Sequence, residues 1–183
     1  MPDIFHQFPV FAPANEVFDA VSTPQGLDAW WTLTSKGEPA EGNVYELFFG
    51  KGYDWRARVT ACVPNEVFEL EIYDSMPDWD GTRVRFELTE RASVDDVSDF
   101  PEAGTSEDDN NTTAGSASSA GSAAPEESAP SAAETMVRFS HTGWPEDNDH
   151  YRTSSFCWAM YLRLMKKWVD EGTVVEYGKR LDA

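Results

Sequence analysis

Basic residues are scarce in this chain: 14 Lys+Arg stand against 33 Asp+Glu, a formal charge of -19 at pH 7. A nucleic-acid partner needs a basic face to neutralise phosphates, and an anionic membrane surface needs one for the same reason, so the charge argues against both. No apolar run is long either. The longest uncharged, largely apolar stretch, Thr153–Leu162, has ten residues, against the ~20 that a bilayer-spanning helix needs. Cysteine is nearly absent: Cys62 and Cys157 stand 95 positions apart and make neither a disulfide framework nor a zinc pattern. The segment Met1–His6 lacks a basic start followed by an apolar run, so no secretory signal is expected and the cytoplasm is the expected location. Phosphate-cradling glycine loops, nucleophile elbows and histidine pairs at metal spacing are missing, so neither a cofactor nor a metal is expected. Glu146, Asp147, Asp149 and His150 cluster in sequence, but they read better as helix-start residues than as cation ligands.

What is present divides into patterned segments and one unpatterned one. From Arg91 to Glu134 there are 10 Ala, 9 Ser and 10 acidic residues, with Phe100 the single aromatic. So little apolar surface cannot offset the roughly 1–2 kcal/mol of backbone entropy lost per ordered residue. Residues 92–134 are therefore expected to be a disordered, acidic, Ala/Ser-rich insertion within one domain spanning 1–183. The remaining chain is acidic too, and only five lysines accompany nine arginines. That balance suits a protein kept soluble in concentrated salt as well as it suits an ordinary acidic one.

On either side of the insertion the pattern alternates. Val84, Phe86 and Leu88 fall on one face of Thr82–Leu88, and Val137, Phe139 and His141 on one face of Thr135–His141. These read as an antiparallel pair joined by a long loop, which costs little because closure entropy grows only logarithmically. Further strands are expected over Asp3–Phe11, Val44–Phe49, Tyr53–Val63 (Trp55, Ala57, Val59 and Ala61 inward) and Glu66–Tyr73 (Phe68, Leu70 and Ile72 inward). Pro13 opens a short helix, Ala14–Val21, and Thr23-Pro24 caps and begins another that carries Leu27, Trp30 and Trp31. Asn148–Glu171 contains no proline or glycine and ends at Gly172, where a left-handed cap would close a long helix. Tyr151, Ser155, Trp158, Leu162, Met165 and Val169 form its apolar stripe, with Cys157, Tyr161, Leu164 and Trp168 alongside.

Strand, two short helices, antiparallel strands and a long terminal amphipathic helix make an α+β chain. The order resembles the helix-grip fold, in which a curved antiparallel β-sheet wraps the C-terminal α-helix. Ala12-Pro13-Ala14-Asn15-Glu16-Val17-Phe18, then Leu27 and Trp30-Trp31, resemble the opening of the family named after the activator of the heat-shock protein 90 ATPase. Phe139-Ser140-His141-Thr142-Gly143-Trp144 is similar to a strand end of that family, and Ser155–Gly172 to its closing helix. The resemblance covers Ile4–Arg91 and Thr135–Gly172 and places the chain within the superfamily of START-related, birch-pollen-allergen-like (SRPBCC) domains.

The resemblance implies a pocket between sheet and helix that takes an apolar, aromatic or lipid-like small molecule. Its candidate lining is Trp55, Phe68, Phe86, His141, Tyr151, Trp158, Tyr161 and Leu162, aromatic side chains with a few polar groups being the usual wall of such a site. Two alternatives stand beside it. One is a cyclase- or hydrolase-like enzyme in the same cavity, with His141 as acid/base and Tyr151 or Tyr161 as proton donor. The other is a regulator of the chaperone ATPase, with a chaperone or a second copy of the chain as partner. The plainer reading of His141 is a buried histidine tied to a neighbour, and His6, in phase with Ile4 and Phe8, is read likewise. Trp79, in the polar Asp78-Trp79-Asp80-Gly81 turn, is expected at an exposed hairpin tip.

Overall fold

The computed structural model describes residues 1–91 and 133–182. The expected insertion lies outside the described residues except for its last two, and Glu134 already belongs to a strand. In chain order the elements are β1 (Ile4–Val10), α1 (Ala14–Ser22), α2 (Pro24–Trp30), β2 (Thr34–Lys36), β3 (Val44–Gly50), β4 (Tyr53–Val63), β5 (Val67–Tyr73), β6 (Arg83–Arg91), β7 (Glu134–Thr142) and α3 (Asp149–Glu171). A short 3-10 turn, Tyr177–Lys179, follows. Among the described residues the strands form one antiparallel sheet in the order β1-β7-β6-β5-β4-β3-β2. The α+β helix-grip architecture is therefore present, with α1, α2 and α3 on the sheet's concave, apolar side.

Local chemistry explains most boundaries. The Thr23 hydroxyl accepts the Gly26 amide at 3.1 Å and Pro24 fills the first helical position, so α2 starts where its donors are satisfied. Gly26 sits where α1 and α2 meet. A Cβ there would lie 2.6 Å from the Ala20 carbonyl oxygen, so only glycine lets the helices come this close. The Asn148 side chain accepts the Tyr151 amide at 2.9 Å, and Gly172, at φ 68°, closes α3. Arg91 and Glu134 are register partners and also an ion pair at 2.9 Å, so the two ends of the intervening segment sit side by side.

Several expectations need correction. The described residues hold seven strands, not six, because Thr34–Lys36 pairs with β3 although it is too short to show alternation. A register shift between Val59 and Ala61 breaks the inward series on β4, leaving Ala61 half-buried. On α3, Ser154 is the buried serine and Ser155 is only half-buried. Trp79 is 6% exposed and not at a solvent-facing tip. The turn that carries it folds back over the sheet end, held by Gly81 N–H to the Ile72 carbonyl at 2.8 Å and by Ser75 N–H to Asp80 at 2.8 Å.

The core is unusually aromatic. Trp158 reaches from α3 to contact Phe139 (ring centroids 4.6 Å apart), Trp31 (5.1 Å) and Trp79 (6.0 Å). Phe86 packs on Phe139 at 5.2 Å and Trp30 at 6.2 Å, so the middle of the grip is filled with side chains. Toward the N-terminal half of α3 a cleft is left open.

Candidate functional site

A register shift in β3 between Phe48 and Gly50 leaves Phe49 outside the ladder with β4. Bulges re-aim side chains, and here the Phe49 ring turns toward Trp31 (5.3 Å) and Trp55 (4.8 Å). The carbonyl freed by the bulge accepts the Tyr177 hydroxyl at 2.7 Å, which ties the C-terminal tail across the β3–β4 hairpin. Arg180 holds the same tail from the other side. Its guanidinium donates to the carbonyls of Asp28 (2.6 Å) and Thr32 (3.0 Å), at the end of α2, where exposed carbonyls and the helix dipole favour a cation. Arg180 is 4% exposed, and burial holds its pKa below the ordinary arginine value.

Between the hairpin, the β5–β6 turn, the first three turns of α3 and this tail lies a cleft of about 370 Å³. Its sheet-side wall includes Phe49, Trp55 and Trp79, its helix-side wall Cys157, Trp158 and Tyr161, and the tail adds Tyr177 and Leu181. The size falls within the ~300–1,000 Å³ of small-molecule sites, and an aromatic wall with few polar groups is their usual chemistry. Burial pushes the Tyr161 hydroxyl up to about 12 and raises the Cys157 thiol, so both stay neutral and neither is an activated nucleophile. Polar groups enter mainly from one face of α3: His150, Thr153 and Ser154.

The structure distributes the sequence candidates unevenly. Trp55, Trp158 and Tyr161 line the cleft. Phe68 and Phe86 do not: each is 2% exposed or less and packed in the solid core, Phe68 against Tyr45 at 5.8 Å. Tyr151 sits outside, its ring on Trp144 at 5.4 Å and its hydroxyl donating to the Asp3 carbonyl at 2.9 Å. Leu162 lies under a separate recess between β1 and α3, beside His6, Phe8 and Lys166. Among the lining residues that sequence reasoning missed are Trp31, Phe49, Met76, Trp79, Cys157 and Tyr177, from five separate stretches that only the tertiary fold brings together.

His141 is wholly buried behind the cleft wall and fully engaged. The Trp158 indole N–H donates to its Nδ1 at 2.9 Å, which makes Nδ1 the acceptor and places the ring proton on Nε2. Nε2 then donates to the Thr82 hydroxyl at 2.9 Å, and that hydroxyl donates to the Trp79 carbonyl at 2.6 Å. Burial lowers the histidine pKa to about 3, with a smaller contribution from His150. Neither nitrogen is left to serve a substrate, and Tyr151 is tied elsewhere, so the expected His141–tyrosine acid/base arrangement does not form. No group of metal-ligating side chains occurs among the described residues, and Asp147 of the acidic cluster instead pairs with Arg152 at 2.9 Å.

The model of the activator of Hsp90 ATPase homolog 1-like protein family matches residues 11–113, more than half of the sequence. The chain belongs to this family. Solved structures that share the fold of this family member include these three. The Aha1 dimer of Colwellia psychrerythraea is 22% identical, with 94% of this chain and 99% of that one covered at a TM-score of 0.65. Protein MLL2253 of Mesorhizobium loti is 15% identical, with 94% and 100% covered at 0.61. CalU16 of Micromonospora echinospora is 14% identical, with 93% and 77% covered at 0.58. Among curated proteins none matches the sequence significantly. Domains of the activator-like fold commonly bind small hydrophobic molecules. No helix among the described residues is long and apolar enough to cross a membrane.

Proposed function

We propose that this protein is a binding module for an apolar, aromatic small molecule held in the cleft between the β3–β4 hairpin, the N-terminal half of α3 and the C-terminal tail. One observation carries the reading: about 370 Å³ of space remains beside the packed aromatic core, and its walls are aromatic. Burying apolar ligand surface there supplies the affinity, at roughly 25 cal/mol per Å² removed from water. Neutral Tyr161 and Cys157 keep the wall compatible with an uncharged guest. Trp55, Trp79 and Trp158 make the wall aromatic, which suits an aromatic guest.

Filling the cleft tests this. Cys157 is half-buried in the wall, and a Cys157→Phe side chain would occupy the space a ligand needs. A panel of planar aromatics, with 2-methoxynaphthalene as the reference compound, is titrated against intrinsic tryptophan fluorescence. The native protein is expected to bind and to melt at a higher temperature with ligand, since a ligand that binds only the folded state stabilises it. Cys157→Phe is expected to lose at least tenfold in affinity, the equivalent of about 1.4 kcal/mol, while remaining folded. Equal binding by both proteins would place the ligand elsewhere, and no binding across the panel would remove the reading.

A further inference from the structure

The cleft contains one polar device that neither its walls nor the core requires. His150, in the first turn of α3, lines the cleft, and its Nδ1 lies 3.0 Å from Asp78 Oδ2 in the β5–β6 turn. Asp78 is held in turn. It accepts the Asn148 side-chain N–H at 3.2 Å, and Asn148 is the residue that caps α3, so the helix start and the carboxylate are fixed by one side chain. The histidine ring also stands edge-on to Trp144, at 5.8 Å and 85°. The imidazole is thus oriented by a carboxylate, a cap and an aromatic face. Both partners are about one-third exposed, and of the two it is His150 that lines the cleft.

The carboxylate fixes the chemistry. An ionised carboxyl can only accept, so Nδ1 carries a proton and, in the neutral ring, Nε2 carries a lone pair. Nε2 has no hydrogen-bond partner among the described residues, Asp78 being the only one His150 has. An acceptor beside an aromatic wall is complementary to a donor on an aromatic guest.

Resting on the cleft as the binding site, we infer that the Asp78–His150 pair recognises a hydroxyl on the ligand, so that the ligand class is a flat phenol or enol. The ligand O–H donates to His150 Nε2. Where the hydroxyl is acidic enough, its proton passes to Nε2, leaving a phenolate or enolate beside an imidazolium that Asp78 stabilises. No other bond forms or breaks, and no co-reactant is needed. Asp78-Trp79 thereby serves the site twice, the aspartate setting the histidine and the tryptophan supplying wall.

Two probes that differ only at this group decide the matter: 2-naphthol and its methyl ether, 2-methoxynaphthalene. A cleft without an acceptor favours the ether, because burying an unpaired hydroxyl is costly. A hydrogen bond involving a carboxylate-backed imidazole reverses that order. The native protein is therefore expected to bind 2-naphthol about tenfold more tightly than the ether. His150→Phe keeps a ring against Trp144 but offers no nitrogen. It should lose the preference for the naphthol, the ratio of the two affinities within the one variant being the readout. Asp78→Asn should reduce the preference, since the orienting carboxylate is gone. If the native protein binds the ether and shows no preference for 2-naphthol, this inference fails while the cleft reading stands. A preference that survives in His150→Phe overturns it as well, and failure of the native protein to bind either probe overturns both.

Discussion

Replacing Trp158 with alanine is expected to lower the unfolding free energy by about 3–5 kcal/mol, the range for removing a buried aromatic from a packed core. Trp158 is 2% exposed and joins helix to sheet through Phe139, Trp31 and Trp79. The change also removes the N–H that His141 Nδ1 accepts. An orphaned buried acceptor adds about 1–3 kcal/mol to the cavity cost unless water enters to replace the donor. Trp158→Phe separates the two contributions: it keeps most of the volume and loses the hydrogen bond, so a smaller loss is expected. Urea unfolding measures both. A loss below 1 kcal/mol for Trp158→Ala would mean that α3 does not depend on this contact.

Acid should weaken the fold through His141. In the folded protein this ring stays neutral, its pKa lowered by burial from 6.5 to about 3. The unfolded chain takes up the proton near the ordinary value, so between pH 6.5 and about 3 the unfolded state binds more protons than the folded one. Stability therefore falls as pH drops through that window and is unaffected by this group above it. At 1.36 kcal/mol per unit the full effect reaches roughly 4–5 kcal/mol. Acidification acts on the whole protein and not on this ring alone, so the test is a difference between two proteins. His141→Leu strands the Trp158 N–H and is expected to be less stable at pH 7 by about 1–3 kcal/mol. Lacking the titrating group, it should lose less on acidification, and the gap to the native protein should narrow between pH 7 and pH 4. A gap that stays constant would mean that His141 titrates alike in both states.

Much of this architecture was legible because periodicity reports burial. Val84, Phe86 and Leu88 face inward from β6, Val137, Phe139 and His141 do so from β7, and α3 begins at its Asn148 cap and ends at Gly172 as its sequence implies. Short-range chemistry fixes such features within a few residues. Three-residue β2 escaped because so short a strand shows no alternation. Trp79 was misplaced because its neighbours Asp78, Asp80 and Gly81 signal a turn, and turn residues do not reveal which way the turn folds. The cleft was the least legible part. Cys157 and Tyr161 follow Trp158's face of α3, but the Phe49 bulge and the Tyr177 tether arise from long-range packing. Phe68 and Phe86 had the right pattern for an inward face, and an inward face alone does not distinguish filled core from cavity wall. His150, passed over beside acidic residues, gained its significance only when the β5–β6 turn brought Asp78 to it.

The central claim is that the aromatic cleft, and not the recess beside His6 and Lys166, receives the ligand. Heteronuclear NMR during a titration with 2-methoxynaphthalene tests it most directly. The account predicts saturable shifts of the Trp55 and Trp79 indole signals and of the Ser154, Cys157 and Tyr177 amides, with the Gln7 and Arg163 amides unmoved. Shifts confined to Gln7 and Arg163, or a spectrum unchanged throughout the titration, would contradict it.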